Sequence, residues 1–164
     1  MNCKNCGAPM KFVWRRDYFF CEYCHTYSIP DQSTDGVKVL GEESHILCPV
    51  CQENLMFASV AQTRVLHCAR CLGVLTKQEI FRDMVTYLRT HASGSPDAPT
   101  PIDRDELRRR VQCPYCHRVM ETHPYYGPGN VVIDTCMTCQ VIWLDYGELK
   151  QIKDAPGRDR GGLF

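Results

Sequence analysis

The chain has 164 residues, carries 19 basic and 19 acidic side chains, and contains twelve cysteines. This length suits one ordinary domain or several very small ones. No apolar run reaches the roughly 18 residues of a transmembrane helix. The start, MNCKNCGAPMKF, lacks the apolar core of a signal peptide. We therefore expect a cytoplasmic protein, not a membrane protein, whose reduced cysteines bind metal instead of forming disulfides.

The charge balance argues against strong sequence-independent binding to nucleic acid. The formal net charge is zero. A zinc ion bound by four thiolates has a net charge of about −2, so three such sites would bring the chain to about −6. Binding of that kind normally needs a clear positive excess.

All twelve cysteines fall in Cys-x-x-Cys pairs that form three matched sets. The sets are Cys3, Cys6, Cys21 and Cys24; Cys48, Cys51, Cys68 and Cys71; and Cys113, Cys116, Cys136 and Cys139. The gaps of 14, 16 and 19 residues between the two pairs of each set suit two short strands and a turn. We predict one tetrahedral Zn²⁺ per set, with rubredoxin-like iron as the main alternative. Cysteine pairs from different repeats could also share a metal.

A site made of four cysteines predicts a structural metal and no catalysis. It leaves no open coordination position, so it cannot generate a metal-bound hydroxide. The sequence contains neither a Gly-rich phosphate loop nor a His-Glu-x-x-His motif. His25, His67 and His117 each adjoin a cysteine and could replace a ligand, which is the minor alternative. We expect no catalytic residues and no enzyme.

The first two repeats occupy the amino-terminal half of the chain. Residues 1–31 are predicted to form a metal-stabilised hairpin without a helix, and residues 32–44 a linker. Residues 45–92 form the second hairpin and a helix from about Lys77 to Thr90. Thr76 and Glu79 in TKQE predict a capping box for this helix. Its buried stripe is predicted to comprise Ile80, Phe81, Met84, Val85 and Leu88.

The third repeat follows a segment rich in Pro, Ser and Gly. Residues 93–102 are predicted to be a flexible linker, and residues 103–112 a short helix capped by Asp103. Residues 113–154 form the third hairpin, with strands in RVMETH, NVVIDT and VIWL. A helix is expected to open at Asp145, with Glu148 as capping-box partner, Leu149 and Ile152 as its buried face, and Trp143 in the core. Residues 155–164 are predicted to be a disordered tail.

The third repeat resembles the transcription-factor-IIB-type zinc-ribbon family. CPYC, DTCMTC and WLDYGEL over residues 113–152 carry the resemblance, with Val141 where the family commonly has glycine. Residues 48–90 resemble the family more loosely, through CPVC and CARCLGVL, and residues 3–30 only as a general zinc ribbon. The resemblance implies that the matching cysteines are zinc ligands and implies no activity. The predicted fold is a small, metal-stabilised α+β protein of three tandem zinc ribbons, with helices after the second and third.

Three hypotheses for function remain open. The first is a non-catalytic interaction module that docks on a macromolecular complex, for example one related to transcription, with Tyr125 and Tyr126 in the loop YYGPG as contacts. The second is nucleic-acid binding through the basic cluster from Arg104 to Arg118. This cluster comprises Arg104, Arg108, Arg109, Arg110 and Arg118, of which Arg104, Arg108 and Arg118 are the candidate phosphate contacts, with Trp14, Tyr18, Phe19, Tyr125 and Tyr126 as stacking residues. The third is a redox- or zinc-responsive metal handler.

Overall fold

The computed structural model describes residues 1–157, in which the first ribbon has a small sheet of its own. Strands β1 (Lys11–Val13), β2 (Tyr18–Phe20) and β3 (Tyr27–Ser28) form an antiparallel three-stranded sheet in that order. No helix follows this ribbon, as the sequence predicts. Within residues 1–157, no helix has both the length and the apolar character needed to cross a membrane.

The second and third ribbons form one continuous antiparallel sheet of seven strands. Its strands are β4 (Lys38–Leu47), β5 (Asn54–Val60), β6 (Thr63–His67), β7 (Val74–Lys77), β8 (Glu121–Pro124), β9 (Val132–Cys136) and β10 (Val141–Leu144). Their order across the sheet is β4-β5-β6-β7-β10-β9-β8. The third strand of each ribbon pairs with the other at the centre, where Val74 lies opposite Leu144 and Lys77 opposite Val141.

Most of the segment predicted to be the first linker is therefore strand. Residues 38–47 form β4, which pairs with β5 from Lys38 opposite Ser59 to Leu47 opposite Asn54, with two register shifts. Within it Leu40 and Ser44 are buried and most other side chains are exposed, as an edge strand tolerates. The linker prediction failed because pairing with a partner strand, not local composition, decides this segment.

Two apolar clusters lie on opposite faces of the seven-stranded sheet, and β10 contributes to both. Ile142 and Leu144 belong to the cluster that packs against the helices, together with Val74. Val141 and Trp143 belong to the cluster that packs against the second and third cysteine sets. We call these the helix-side core and the metal-side core. All four side chains of β10 are buried, as expected of a central strand covered on both faces.

Helix α1 (Gln78–Thr90) and helix α2 (Glu148–Asp154) pack against each other and against the helix-side core. Of their predicted buried residues, Ile80 and Leu88 are only partly buried. The others are buried, namely Phe81, Met84, Val85, Leu149 and Ile152. The predicted capping box of α1 does not form. Lys77 occupies the N-cap position without a side-chain cap, and the Thr76 hydroxyl is buried without a hydrogen-bond partner in residues 1–157.

Helix α2 begins three residues after Asp145. The predicted bond from the Asp145 backbone N–H to the Glu148 side chain forms at 2.6 Å, and further caps come from distant parts of the chain. Gly147 occupies the N-cap position with a φ of 91°, a conformation that favours glycine. The Asp35 carboxylate accepts hydrogen bonds from the backbone N–H groups of Gly147 (2.7 Å) and Lys150 (3.0 Å). At the other end, the buried Arg89 guanidinium donates to the carbonyls of Ile152 and Ala155.

The segments between elements also differ from the sequence prediction. A 3-10 turn at Glu106–Arg108 replaces the predicted short helix, and the Asp103 carboxylate accepts from the backbone N–H of Asp105. Residues 93–101 lack regular structure, and the backbone N–H of Asp97 donates to the Asp154 carbonyl. Of the predicted tail, Ala155 is buried, whereas residues 158–164 lie outside the described residues.

The first ribbon contacts the large sheet through the turn between β1 and β2. The Asp17 carboxylate accepts from Lys38 Nζ at 3.0 Å and from Ser59 Oγ at 2.8 Å. Both side chains of the Asp17–Lys38 ion pair are largely buried. These contacts attach the ribbon to β4 and β5, the outer part of the sheet.

Candidate metal centres

All six Cys-x-x-Cys turns share one backbone conformation. In the first five, the backbone N–H four residues after the first cysteine donates to that cysteine's carbonyl at 2.9 to 3.0 Å. The residue directly after the second cysteine has a positive φ of 53° to 75° in every turn. These residues are Gly7, His25, Gln52, Leu72, His117 and Gln140. Such a turn folds two sulfurs of one pair towards a common point.

The turns bring the twelve cysteines together in three sets of four, each within one repeat. The four Sγ atoms of each set all lie within 4.8 Å of one another. The sets are the three predicted from the spacing, beginning at Cys3, Cys48 and Cys113. The alternative in which different repeats share a metal is therefore wrong.

The sulfur positions fit tetrahedral zinc. Four ligands at about 2.3 Å from one ion lie about 3.8 Å apart along the edges of the tetrahedron. Several sulfur pairs come close to this spacing: Cys3 and Cys24 at 3.5 Å, Cys51 and Cys68 at 3.6 Å, Cys48 and Cys51 at 3.7 Å, and Cys116 and Cys136 at 3.6 Å. The three sites would each hold one Zn²⁺ through four thiolates.

Backbone N–H groups stabilise the thiolates. The Sγ atom of Cys48 accepts from the N–H groups of Val50 (3.4 Å) and Cys51 (3.3 Å), and that of Cys136 accepts from Cys139 (3.4 Å). Hydrogen bonding to the Thr26 side chain and backbone lowers the pKa of Cys24 to about 5. Hydrogen bonding to the Arg118 backbone lowers the pKa of Cys116 to about 7. These interactions favour the deprotonated form that binds metal, whereas burial acts against them and raises the pKa of Cys48 to about 11.

The three sites differ in how deeply the protein buries them. Cys48 and Cys68 of the second site, and Cys113 and Cys136 of the third, belong to the metal-side core. At the first site Cys3 and Cys21 are buried, but Cys6 is exposed. The second and third metal ions would therefore hold together one shared core, whereas the first would stabilise a separate three-stranded unit.

The third ribbon matches a known family of zinc ribbons. Residues 112–155 match the transcription factor zinc-finger family, the zinc ribbon of the TFIIB type. This match covers the segment 113–152 on which the resemblance rests. No significant match is found among curated proteins or among solved structures. The family match and the three cysteine sets together identify zinc-binding ribbons.

The characteristic residues after the third cysteine set form a connected polar network. Trp143 Nε1 donates to Asp145 Oδ1 at 3.0 Å, and the backbone N–H of Asp145 donates to Glu148 Oε2 at 2.6 Å. Arg109 bridges Asp145 and the buried Asp134, which lies 2.7 Å from its Nη2. The motif WLDYGEL thus connects the core tryptophan, an internal cation and the start of α2.

Val141, which stands where the family commonly has glycine, fits the strand without strain. It is the first residue of β10, lies opposite Cys136 and Lys77, and is buried in the metal-side core. Gln140 takes the left-handed conformation of the turn. The corresponding residue of the second ribbon is Gly73. A side chain cannot be accommodated there, because a Cβ would lie 2.2 Å from the Trp143 ring.

The predicted contact residues fall into exposed and buried groups. Arg104, Arg108 and Arg118 are exposed, and Tyr126 is 90% exposed. Tyr125 instead packs edge-on against Phe81 of α1. Among the proposed stacking residues, Phe19 is buried. Arg109 is not available to a phosphate backbone, because its guanidinium is paired with Asp134 and Asp145.

The histidines beside cysteines take no part in the sulfur sets. His25 and His117 occupy the left-handed turn position, and the His25 ring stacks on Phe20. His67 is buried, and burial lowers the pKa of its imidazole. Sequence reasoning missed Asp35, whose role depends on a helix more than a hundred residues away.

Proposed function

We propose that this chain is a cytoplasmic, non-catalytic zinc-ribbon protein that docks on a macromolecular complex connected with transcription. The observation that carries the proposal is the exposure of large apolar side chains at the metal-bound turns. Tyr23, Val50, Tyr115 and Met137 each lie between the two cysteines of a pair and are 47% to 82% exposed. Apolar side chains exposed on a rigid frame are typical of contact surfaces.

The shared sheet supports docking because it fixes the turns relative to each other. The first turns of the second and third ribbons line one cleft of about 220 Å³, which includes Pro49, Gln52, Pro114 and His117. A partner would therefore meet two ribbons at once and would not have to order a flexible linker. The match of the third ribbon to a transcription factor zinc-finger family favours a complex of the transcription machinery.

A capture experiment tests this proposal. The tagged, zinc-loaded full chain is crosslinked in its source cells, and the captured proteins are quantified by mass spectrometry. We expect subunits of the transcription machinery to be enriched, and their recovery to fall at least fivefold when Val50, Tyr115 and Met137 are replaced by Asp. Leu107→Asp is the matched control, because Leu107 is exposed outside the metal-bound turns. Equal recovery with all variants would refute docking through these turns.

Nucleic-acid binding remains the second candidate, favoured by the exposure of Arg104, Arg108 and Arg118. Its support is weakened because Arg109 is paired internally. Fluorescence anisotropy with a single-stranded oligonucleotide at several salt concentrations tests it. Phosphate contacts by these arginines would weaken binding steeply as salt is added.

A further inference from the structure

A groove of about 520 Å³ lies where the metal-side core meets the start of α1. The register of the sheet places Phe57 opposite Leu66, and Leu66 opposite Leu75, so that three apolar side chains follow one another across three strands. Ile80 of α1 and Tyr115 of the third ribbon also line the groove. Its volume lies within the range of about 300–1,000 Å³ that is usual for ligand sites.

The charged side chains that line this groove are all basic. Arg64 and Lys77 lie on it, together with His45, and no carboxylate of residues 1–157 does so. The Arg64 guanidinium lies 4.0 Å from the centre of the Phe57 ring, a cation–π contact that holds the charge beside the apolar surface. Lys77 contacts Glu79 at 3.6 Å, but both side chains are mostly exposed.

This local positive charge contrasts with the charge of the zinc-loaded chain. The formal charge is zero before the thiolates are counted, and three zinc–thiolate sites bring it to about −6. An acidic partner would therefore gain no attraction from the net charge of the molecule, whereas Arg64 and Lys77 would attract it locally at this groove. Such a charge pattern determines both which partners bind and where on the surface they bind.

We propose that the groove binds a protein segment in which bulky apolar side chains are flanked by carboxylates. The apolar side chains would pack on Leu66, Leu75 and Ile80, and the carboxylates would pair with Arg64 and Lys77. This inference rests on the proposed docking function and specifies the chemistry of the partner. Tyr115 belongs both to the groove and to the exposed turn residues, so the segment would lie beside the third metal site.

Peptide chemistry suits this groove better than nucleic acid does. Apart from Phe57 and Tyr115, its apolar lining is aliphatic, and the Phe57 ring is covered by Arg64. Bases stack on exposed aromatic faces. A phosphate backbone would also meet only two permanent cations here, whereas binding to phosphates grows with the number of charges neutralised.

The test uses the full, zinc-loaded chain labelled with ¹⁵N and a synthetic acetylated and amidated peptide, Asp-Glu-Leu-Phe-Asp-Glu. We expect saturable chemical-shift changes at β5, β6, β7 and the turn that contains Tyr115. Two control peptides separate the electrostatic contribution to binding from the apolar contribution. Lys-Arg-Leu-Phe-Lys-Arg reverses the charge, and Asp-Glu-Ala-Ala-Asp-Glu removes the apolar side chains. Each control should bind at least tenfold more weakly.

Variants of the chain locate the binding site. The double substitution Arg64→Glu and Lys77→Glu, on exposed side chains, should weaken binding of the acidic peptide at least tenfold without changing the fold. Arg70→Glu is the matched control, because Arg70 is exposed and pairs with Glu53 outside the groove. Unchanged binding by the double variant, or shift changes elsewhere on the chain, would overturn the inference.

The remaining outcomes are equally decisive. Absence of saturation at millimolar acidic peptide would refute the groove as a peptide site. Shift changes in the groove with oligo-dT but not with the peptide would assign it to nucleic acid instead. If the crosslinked partner is captured equally well by the double variant, docking stands but does not use this groove.

Discussion

At the scale of single residues, the Glu148 carboxyl group lies almost wholly in the protein interior. Burial raises its pKa to about 9, and the nearby Asp145 charge adds to the effect. The backbone N–H of Asp145 and the Arg109 guanidinium oppose the increase. At neutral pH the folded chain therefore keeps this group protonated, whereas the unfolded chain ionises it.

This shift predicts a stability that falls as the pH rises. Between about pH 5 and pH 9 the folded state binds more protons than the unfolded state, so Glu148 can reduce the free energy of unfolding by up to about 1 kcal/mol per pH unit. Glu148→Gln should remove this component and flatten the curve, measured by denaturant titration from pH 6.5 to 9 with zinc present. Glu121→Gln on an exposed strand position is the control. Parallel curves for wild type and Glu148→Gln would contradict the prediction.

The Thr76 hydroxyl gives a second prediction at this scale. It is buried and has no hydrogen-bond partner within residues 1–157, so it retains an uncompensated cost of desolvation. Thr76→Val should raise the free energy of unfolding by about 1 kcal/mol. Thr135→Val is the matched control: Thr135 is equally buried but contacts His123 Nε2 at 3.1 Å, and its loss should destabilise. Destabilisation by Thr76→Val would show that the hydroxyl has a partner.

At the scale of elements, the seven-residue helix α2 depends on groups outside itself. A helix this short is marginal in isolation. It is held by burial of Leu149 and Ile152 and by the remote side chains Asp35 and Arg89 at its two ends. The motif that identifies the third ribbon thus requires residues from the other parts of the chain to complete its helix.

The Asp35 cap predicts a specific loss of stability. Asp35→Ala should lower the free energy of unfolding by about 1–2 kcal/mol, because two backbone N–H groups lose their acceptor. Asp35→Asn should recover only part of the stability, because Asp35 accepts from Gly147 through Oδ2 and from Lys150 through Oδ1, whereas an amide offers one acceptor oxygen. Asp31→Ala, on an exposed side chain four residues earlier, is the control. Equal effects of Asp35→Ala and Asp31→Ala in urea unfolding would rule out the remote cap.

Arg109 joins the segment before the third ribbon to the end of β10. Arg109→Ala would leave the buried Asp134 carboxylate without its cation, and should cost about 2–3 kcal/mol of folding free energy. Arg109→Lys should restore only part of this, because the compact ammonium lacks the planar fork whose two nitrogens reach Asp134 and Asp145 separately. Arg108→Ala, which removes an exposed pair with Asp105, should change stability by less than about 0.5 kcal/mol. Equal stability of the Arg109 and Arg108 variants would contradict this role.

The elements that the sequence predicted well are those fixed by local pattern. The cysteine spacing predicted all three metal sets, and VIWL and the stripe from Phe81 to Val85 predicted β10 and the buried face of α1. The failures depend on tertiary contacts that the local pattern does not specify, such as the pairing of β4 with β5. Thr76 makes no cap hydrogen bond. The Asp145 side chain binds Trp143 and Arg109, although its backbone N–H donates to Glu148 as the predicted capping box requires.

At the scale of the whole molecule, the second and third ribbons form one body. The pairing of β7 with β10 and the shared metal-side core join them across the segment 93–102, which the sequence presents as a linker. The spacing of the cysteines cannot predict this pairing, because β7 and β10 could equally have remained the edge strands of two separate sheets. The three repeats therefore do not form three independent modules. The second and third ribbons are joined, and the first ribbon is attached to them through Asp17.

The metal sites hold this arrangement together, since four cysteines from the second and third sets are part of its core. The most direct test is native mass spectrometry of the freshly purified chain, combined with zinc X-ray absorption spectroscopy. We predict three zinc ions per chain, each with four sulfur ligands at about 2.3 Å. Fewer than three ions, iron in place of zinc, or nitrogen in the coordination shell would contradict three closed zinc–cysteine sites.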